Sequence, residues 1–327
     1  MPFVLSALDQ SPISESSTGA DALRNSIDLA RHVEALGFER YWVAEHHGTP
    51  MLASAAPEIL IAAIAAATTR IRVGSGGVML PHYSQLKVAE VFSTLSALHP
   101  GRIDLGIGRA PGTDPHTMFA LQRDRRQAAP DDFPEQLAEL LALLEDDLPR
   151  DHPFARLTAL PGGPERPEVW LLGSSPQSAI WAAELGLPYS FADFINPNGA
   201  ELAGLYRERF RPSVRRAEPW VAAAVSVICA ETDEEAQLLA TSGRMAIAHL
   251  HAGRLIPVPP VDKALAFFAE HEVPPTGRRA VVGSPAVVRA GLEDVASDYT
   301  ADELMLVTIT HDHAARRRSF ELVASAF

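Results

Sequence analysis

Cysteine is almost missing from this chain: Cys229 is the only one in 327 residues. That excludes an intramolecular disulfide and any cysteine-built metal cluster, and it fits a reducing compartment. Cys229 itself sits in the apolar run AVSVICA and reads as core. Lysine is nearly as rare, with Lys87 and Lys263 alone among the basic residues and arginine supplying the rest. Basic charge as a whole is short, 28 Lys and Arg against 41 Asp and Glu for a formal net charge of -13. Such a balance opposes binding to phosphate backbones and anionic membranes, so nucleic acid is a poor partner. No segment offers the roughly 20 apolar residues of a membrane span, and the opening MPFVLSALDQSP lacks a basic leader followed by an apolar stretch. The expected location is the cytoplasm.

What is present is a regular alternation of apolar strands and amphipathic helices, the pattern of repeated β-α units around a parallel sheet. Strands are predicted at 3–8, 41–44, 71–80, 102–108, 169–172, 189–192, 221–230 and 303–308, with helices at 20–36, 57–69, 85–98, 133–144, 177–185, 200–210, 263–271, from Pro285 after a capping Ser284, and at 314–324. Eight strands favour a closed (β/α)8 barrel, the TIM barrel, as one domain over 1–327; an open doubly wound sheet has the same periodicity. Residues 114–130 read as a long loop over the barrel mouth, and the proline-rich stretches 148–167 and 256–275 as excursions. The segment 251–279 is expected to act as a mobile lid.

Polar residues at the C-terminal ends of barrel strands face the mouth, and four places qualify. Glu45, His46 and His47 follow strand two. Adjacent histidines on an extended chain point to opposite sides, so one metal-free general acid/base histidine, His46 or His47, is favoured over a metal site, for which His82 and Asp104 would be the remaining ligands. Gly74, Ser75, Gly76 and Gly77 end strand three, either as a bulge or as a platform for a flat ring. Arg109 ends strand four and suits either a phosphate or a salt bridge. Gly173, Ser174 and Ser175 precede a helix opened by Pro176, an arrangement for binding an anion or simply for capping. Asp9, Gln10 and Ser11 are expected to line the same mouth.

The succession YWVAEHH, VGSGGVMLPHY, HPGRIDLGIGRAPGTD and LLGSSPQSAIWAAELGLP, with VGSPAVVRAGLEDVA and DELMLVTITHDHAARRRSFEL near the end, resembles the bacterial luciferase-like flavin monooxygenases along essentially the whole chain. The resemblance implies that His46 is the catalytic residue, that Gly76 and Gly77 hold a non-proline cis peptide under the flavin, and that Arg109 with Gly173, Ser174 and Ser175 binds the FMN phosphate. It implies chemistry in which FMNH2 and O2 form a flavin C4a-hydroperoxide that oxidises a small organic substrate, such as a polyketide intermediate. Gly108 and Gly173 depart from the light-emitting luciferase, so emission is not expected. No G-x-G-x-x-G element follows the first strand, and reduced flavin is expected from a separate flavin reductase. A homodimer through the all-apolar helix 57–69 is also expected. The alternatives are a hydride-transfer enzyme using the deazaflavin F420 and a non-catalytic flavin-binding protein.

Overall fold

The computed structural model describes residues 3–109, 114–122, 125, 126, 132–274 and 277–327. Eight parallel strands close on themselves. In order around the barrel they are β1 (Val4–Asp9), β2 (Arg40–Val43), β3 (Arg72–Met79), β4 (Ile103–Gly108), β5 (Glu168–Gly173), β6 (Tyr189–Phe191), β7 (Val221–Cys229) and β9 (Glu303–Val307), with β6 pairing to β7 and β9 to β1. The predicted closed barrel is therefore the observed one. A ninth strand, β8 (Ala280–Gly283), pairs only with the last four residues of β7 and adds a flap to the lip.

Helices α1 (Gly19–Ala35), α2 (Pro57–Ala67), α3 (Gln85–Leu98), α5 (Phe133–Glu145), α6 (Pro176–Glu184), α7 (Ala200–Arg209), α10 (Pro285–Tyr299) and α11 (His313–Ala326) form the outer layer. Their starts follow local chemistry. Thr18 and Asp21 form a reciprocal capping box before α1, while proline occupies the first turn of α2, α5, α6 and α10. Two helices depart from the sequence expectation. Residues 115–121, expected as loop, form α4 (Pro115–Leu121), because Asp114 caps it by accepting from the backbone N–H groups of His116 and Thr117; residues 123, 124 and 127–130 of that expected loop lie outside the described residues. The longest helix, α8 (Asp233–His251), was not predicted at all.

Strand parity divides the barrel wall. Outward-facing Tyr41, Val43, Val73, Leu105, Leu171 and Leu306 pack against the helices, while Leu8, Trp42, Ala44, Trp170, Ala224, Met305 and Val307 fill the interior. Trp42 and Trp170 meet edge to face at 5.0 Å, and β3, the strand next to Trp42, makes room with glycine. A Cβ on Gly74 would lie 2.6 Å from Asp104 Cβ and 3.0 Å from Trp42 Cδ1, and one on Gly76 would lie 2.6 Å from Leu8 Cδ1.

Below the tryptophans, at the N-terminal end of the barrel, Arg40 is 5% exposed. Its Nη1 lies 3.0 Å from Asp104 and 2.9 Å from Glu168, its Nε 3.1 Å from Glu303, and its guanidinium 4.7 Å from the Trp170 ring centroid. Trp42 Nε1 donates to Asp104 at 2.9 Å and Trp220 Nε1 to Glu303 at 3.0 Å. Asp104, entertained above as a metal ligand beside His82, is thus committed to Arg40 and Arg72 at the opposite end of the barrel from His82. Burial raises the Glu303 carboxyl above its ordinary range although Arg40 pulls it down.

Arg40→Met should cost about 3–5 kcal/mol in urea unfolding, since it strands buried carboxylates without their cation. Because a raised carboxyl is penalised most when ionised, the deficit should be largest above the pKa of Glu303 and shrink as acid protonates it. Adding Glu303→Gln to Arg40→Met should recover part of the loss; no recovery would place the cost elsewhere.

Candidate active site

At the opposite, C-terminal end, β2 delivers Glu45, His46 and His47. Glu45 is 1% exposed and continues the outward parity of Val43. Its carboxylate accepts from the Met79 backbone N–H at 3.0 Å and from Tyr83 Oη at 2.8 Å, and His47 Nε2 lies 2.8 Å from it. This carboxylate ties the ends of β2 and β3 together. The sequence flagged Glu45 but assigned it no task. Burial and the adjacent Glu45 charge push the Tyr83 hydroxyl well above its usual value, so it stays a donor.

His46 takes the other parity, that of Trp42 and Ala44, and its backbone N–H donates to Ser54 O at 2.9 Å. Its Nδ1 is enclosed and has no hydrogen-bond partner. Burial, helped by the neighbouring His47, lowers its pKa to about 4, so the ring is neutral near pH 7. A neutral imidazole offers one donor and one acceptor.

The Gly76–Gly77 peptide is cis, and the β3–β4 register shifts between Gly76 and Val78. A Cβ on Gly77 would sit 2.7 Å from Gly106 O, whereas one on Gly108 would meet nothing within 4 Å. The wall is therefore tight at β3 and open at β4. Arg109 is exposed and leans over Trp181 of α6, its Cζ 5.9 Å from the ring centroid. Gly173 lets the start of α6 approach, because a Cβ there would lie 2.2 Å from Ser178 Oγ. Ser175 caps α6 by accepting from Ser178 N–H at 3.4 Å, and Ser174 stands exposed beside it. Arg109 and the Ser174 turn thus converge on one helix.

Asp9 and Ser11 do not line the mouth, contrary to expectation. Asp9 follows the outward parity of Ala7 and accepts from Ser11 N–H, Tyr41 Oη and Arg316 Nη2 at 2.7, 2.5 and 2.7 Å, and Ser11 Oγ is 2.8 Å from Ser26 Oγ of α1. Burial alone would raise the Asp9 carboxyl, but Arg316 and the hydroxyls hold it below its usual range. Only Gln10 keeps the inward parity of Leu8.

The unpredicted α8 lies against this end: Ala246 packs with Met51 and Val258, and a Cβ on Gly243 would come within 3.5 Å of Ile309 O, past the end of β9. The segment expected as a lid is held at two points. Val258 is fully buried and exchanges backbone hydrogen bonds with Ile13 and Glu15 at 2.8 Å each, and Lys263 of α9 (Val261–Glu270) reaches Glu15 at 2.7 Å. Residues 275 and 276 of that segment lie outside the described residues.

A family profile described as luciferase-like monooxygenase matches residues 1–302. A luciferase-like monooxygenase of Escherichia coli is 42% identical over 325 residues, covering 98% of this chain and 96% of its own. The N-acetyl-S-alkylcysteine monooxygenase of Bacillus subtilis is 38% identical over 330 residues, covering 98% and 97%. Among solved structures, apo-MsnO8 superposes with a TM-score of 0.91 at 44% identity, covering 99% of this chain and 97% of that one. The chain belongs to the luciferase-like monooxygenase family.

The depressed pKa of His46 has a thermodynamic consequence. Between its unfolded value near 6.5 and its folded value of about 4 the unfolded chain binds the extra proton, so stability falls as the pH drops through that window. The melting temperature of wild type should therefore fall more steeply from pH 6.5 to pH 4.5 than that of His46→Gln. Parallel curves would mean that the ring is not held neutral.

Proposed function

We propose that this protein is an FMN-dependent monooxygenase that uses FMNH2 and O2 to oxidise a small organic substrate. The observation that carries the reading is His46, a neutral imidazole with an unpartnered, enclosed Nδ1 at the mouth of a barrel whose adjoining strand β3 carries Gly76 and Gly77. The residues present fit the cofactor: Gly76, Gly77 and the open space at Gly108 would cradle a flat ring system, and Arg109 with Gly173, Ser174 and Ser175 would hold its phosphate. When bound, the flavin supplies the oxygen-activating chemistry.

The chain's own part is positioning and proton control. Glu45 fixes the β2 and β3 ends, so that the His46 ring and the Gly76–Gly77 backbone keep their spacing. His46 then holds or passes a proton at Nδ1. Ala246 of α8 together with Ile256 and Val258, which pack on Met51 and Leu52, would help keep water from the mouth. We further infer delivery of reduced flavin by a separate flavin reductase, a cytoplasmic location, and a homodimer through α2, whose outer side leaves Ile59 68% exposed along with Ala63 and Ala66. The Bacillus relative's name makes S-alkyl thioethers the first substrates to try.

Titration with FMN, riboflavin and F420 tests the cofactor. Wild type should bind FMN. Arg109→Ala, losing a charge-assisted contact of about 1.5–3 kcal/mol, should bind FMN roughly 10- to 100-fold more weakly and riboflavin unchanged. Equal loss for both ligands would move Arg109 away from the phosphate, and substrate turnover with reduced F420 but not FMNH2 would replace the reading with hydride transfer. His46→Ala should keep FMN affinity while coupled product formation falls about 100- to 10,000-fold, whereas His47→Ala should chiefly lower stability. Ile59→Asp should halve the mass measured by sedimentation; an unchanged mass would refute the α2 interface.

A further inference from the structure

Four half-buried apolar residues pack on the cluster that fills the barrel interior: Leu172, Phe194, Trp220 and Ile309. Trp220 belongs to the closed end, where it donates to Glu303. The other three stand at the open end. Leu172 is the penultimate residue of β5 and leans toward β4, since a Cβ on Gly106 would lie 2.9 Å from its Cδ1. Phe194 follows β6, which lies four strands from β2 in either direction round the barrel, so it stands across the mouth from His46. Ile309 follows β9 and also packs with the cluster of Met51, Ala246 and Val258, which joins the barrel interior to the lip.

The chain on both sides fixes where these side chains point. Asp193 is fully buried on the outward side, 2.8 Å from Tyr299 Oη and 3.3 Å from Arg279 Nε, and the Phe194 N–H donates to Ala224 O at 2.9 Å. Before Ile309, Thr308 Oγ1 donates to Val227 O and Arg316 Nε to Thr308 O, both at 2.8 Å; after it, Thr310 is buried. Half-buried apolar residues at a barrel rim are commonly no more than the upper edge of the core. Here they come from three strands, leave part of their surface uncovered, and share the mouth with the neutral ring of His46. Several charged groups near this end have partners away from that wall: Glu45 holds Met79 N–H and Tyr83, Asp9 holds Arg316, Lys263 holds Glu15, and Arg125 donates to Ala120 O. A carboxylate carried against such a wall loses its water and gains no cation in return.

Taking the barrel mouth as the catalytic site, on which this step rests, we infer that Leu172, Phe194 and Ile309 determine specificity by seating the alkyl or aryl group of an uncharged substrate, a neutral thioether in preference to one that bears a carboxylate. Phe194 supplies the face across from His46, and Ile309 supplies the side that continues into the lip. Apolar walls with few polar groups are the usual lining of small-molecule sites, and the polar groups then fix orientation. His46 is the polar group placed to do so here.

The test titrates the full chain, with and without FMN, with 4-(methylthio)benzamide and 4-(methylthio)benzoate, two thioethers of nearly the same shape that differ in charge, and follows binding by ligand-observed NMR near pH 7. Wild type should bind the amide about tenfold more tightly than the benzoate. Phe194→Ala should weaken the amide about tenfold, and Ile309→Leu should keep the preference. Ile309→Arg, which brings a cation to the wall, should tighten the benzoate about tenfold and weaken the amide. Val214→Ala, on the exposed stretch before β7, should change neither. No saturable binding of either ligand, equal affinity or a preference for the benzoate in wild type, an amide affinity that ignores Phe194→Ala, or an Ile309→Arg variant of native melting temperature that still rejects the benzoate would each overturn the assignment. Failure of FMN to bind would instead strike the flavin reading, and the ligand preference would still be read on the chain without FMN.

Discussion

The barrel is organised around a charge that has no business being dry. Arg40 projects inward at the closed end of the barrel, where the cost of burying a lone guanidinium would exceed any packing gain. It is tolerable because β4, β5 and β9 each present a carboxylate to it, Asp104, Glu168 and Glu303, and because the Trp170 ring lies against its face. Those acids recur near the start of their strands, so the same contacts that satisfy Arg40 set the relative height of four strands. A one-residue slip in any of them would turn its acid toward the helices.

This ionic floor decides what the other end can be. Above it the interior narrows to the Trp42 and Trp170 pair, and the glycines of β3 are the counterpart of those rings: Gly74 and Gly76 are short because Trp42 and Leu8 are long. The glycine run therefore has two causes along its length. Gly74 and Gly76 answer to core packing, Gly77 to the close approach of the β4 backbone at Gly106 O. Both causes are close packing, against side chains at Gly74 and Gly76 and against backbone at Gly77, along one strand.

How much of this was legible in the sequence depended on whether a feature is local. Strand ends announce themselves where an apolar run breaks into polar or glycine residues, which is why the sequence itself puts His46, Gly77, Arg109 and Ser174 at the same end of the barrel. Long-range pairing leaves no such mark: Arg40 and Glu303 are 263 residues apart, and nothing near Asp104 separates a metal ligand from an ion-pair partner. Helix α8 escaped for another reason. Its buried side carries Ala236, Ala240, Ser242, Met245 and Ala246, with no stripe of large aliphatic residues, and Thr241, Ser242 and Gly243 are weak helix formers in its middle. Small residues there let the helix lie close on the chain just past β9, so the property that hid it is the one that seats it.

The two histidines show how position alone separates roles. His47 shares the outward side with Glu45 and is drawn into the bonds that join β2 to β3, while His46, one residue earlier, faces inward and receives no carboxylate. Had Glu45 pointed inward, its charge would have raised the His46 pKa and made the ring a cation at neutral pH. Alternation instead sends the carboxylate to Met79 N–H and Tyr83, and leaves His46 with burial as the dominant influence and the charge of His47 as a second. A ring kept neutral in this way can donate one hydrogen bond and accept another, so its usefulness should vary little from pH 6 upward. The limit at acid pH is then set by the folding equilibrium as much as by the site, because the proton that disables His46 is the one the unfolded chain binds more tightly.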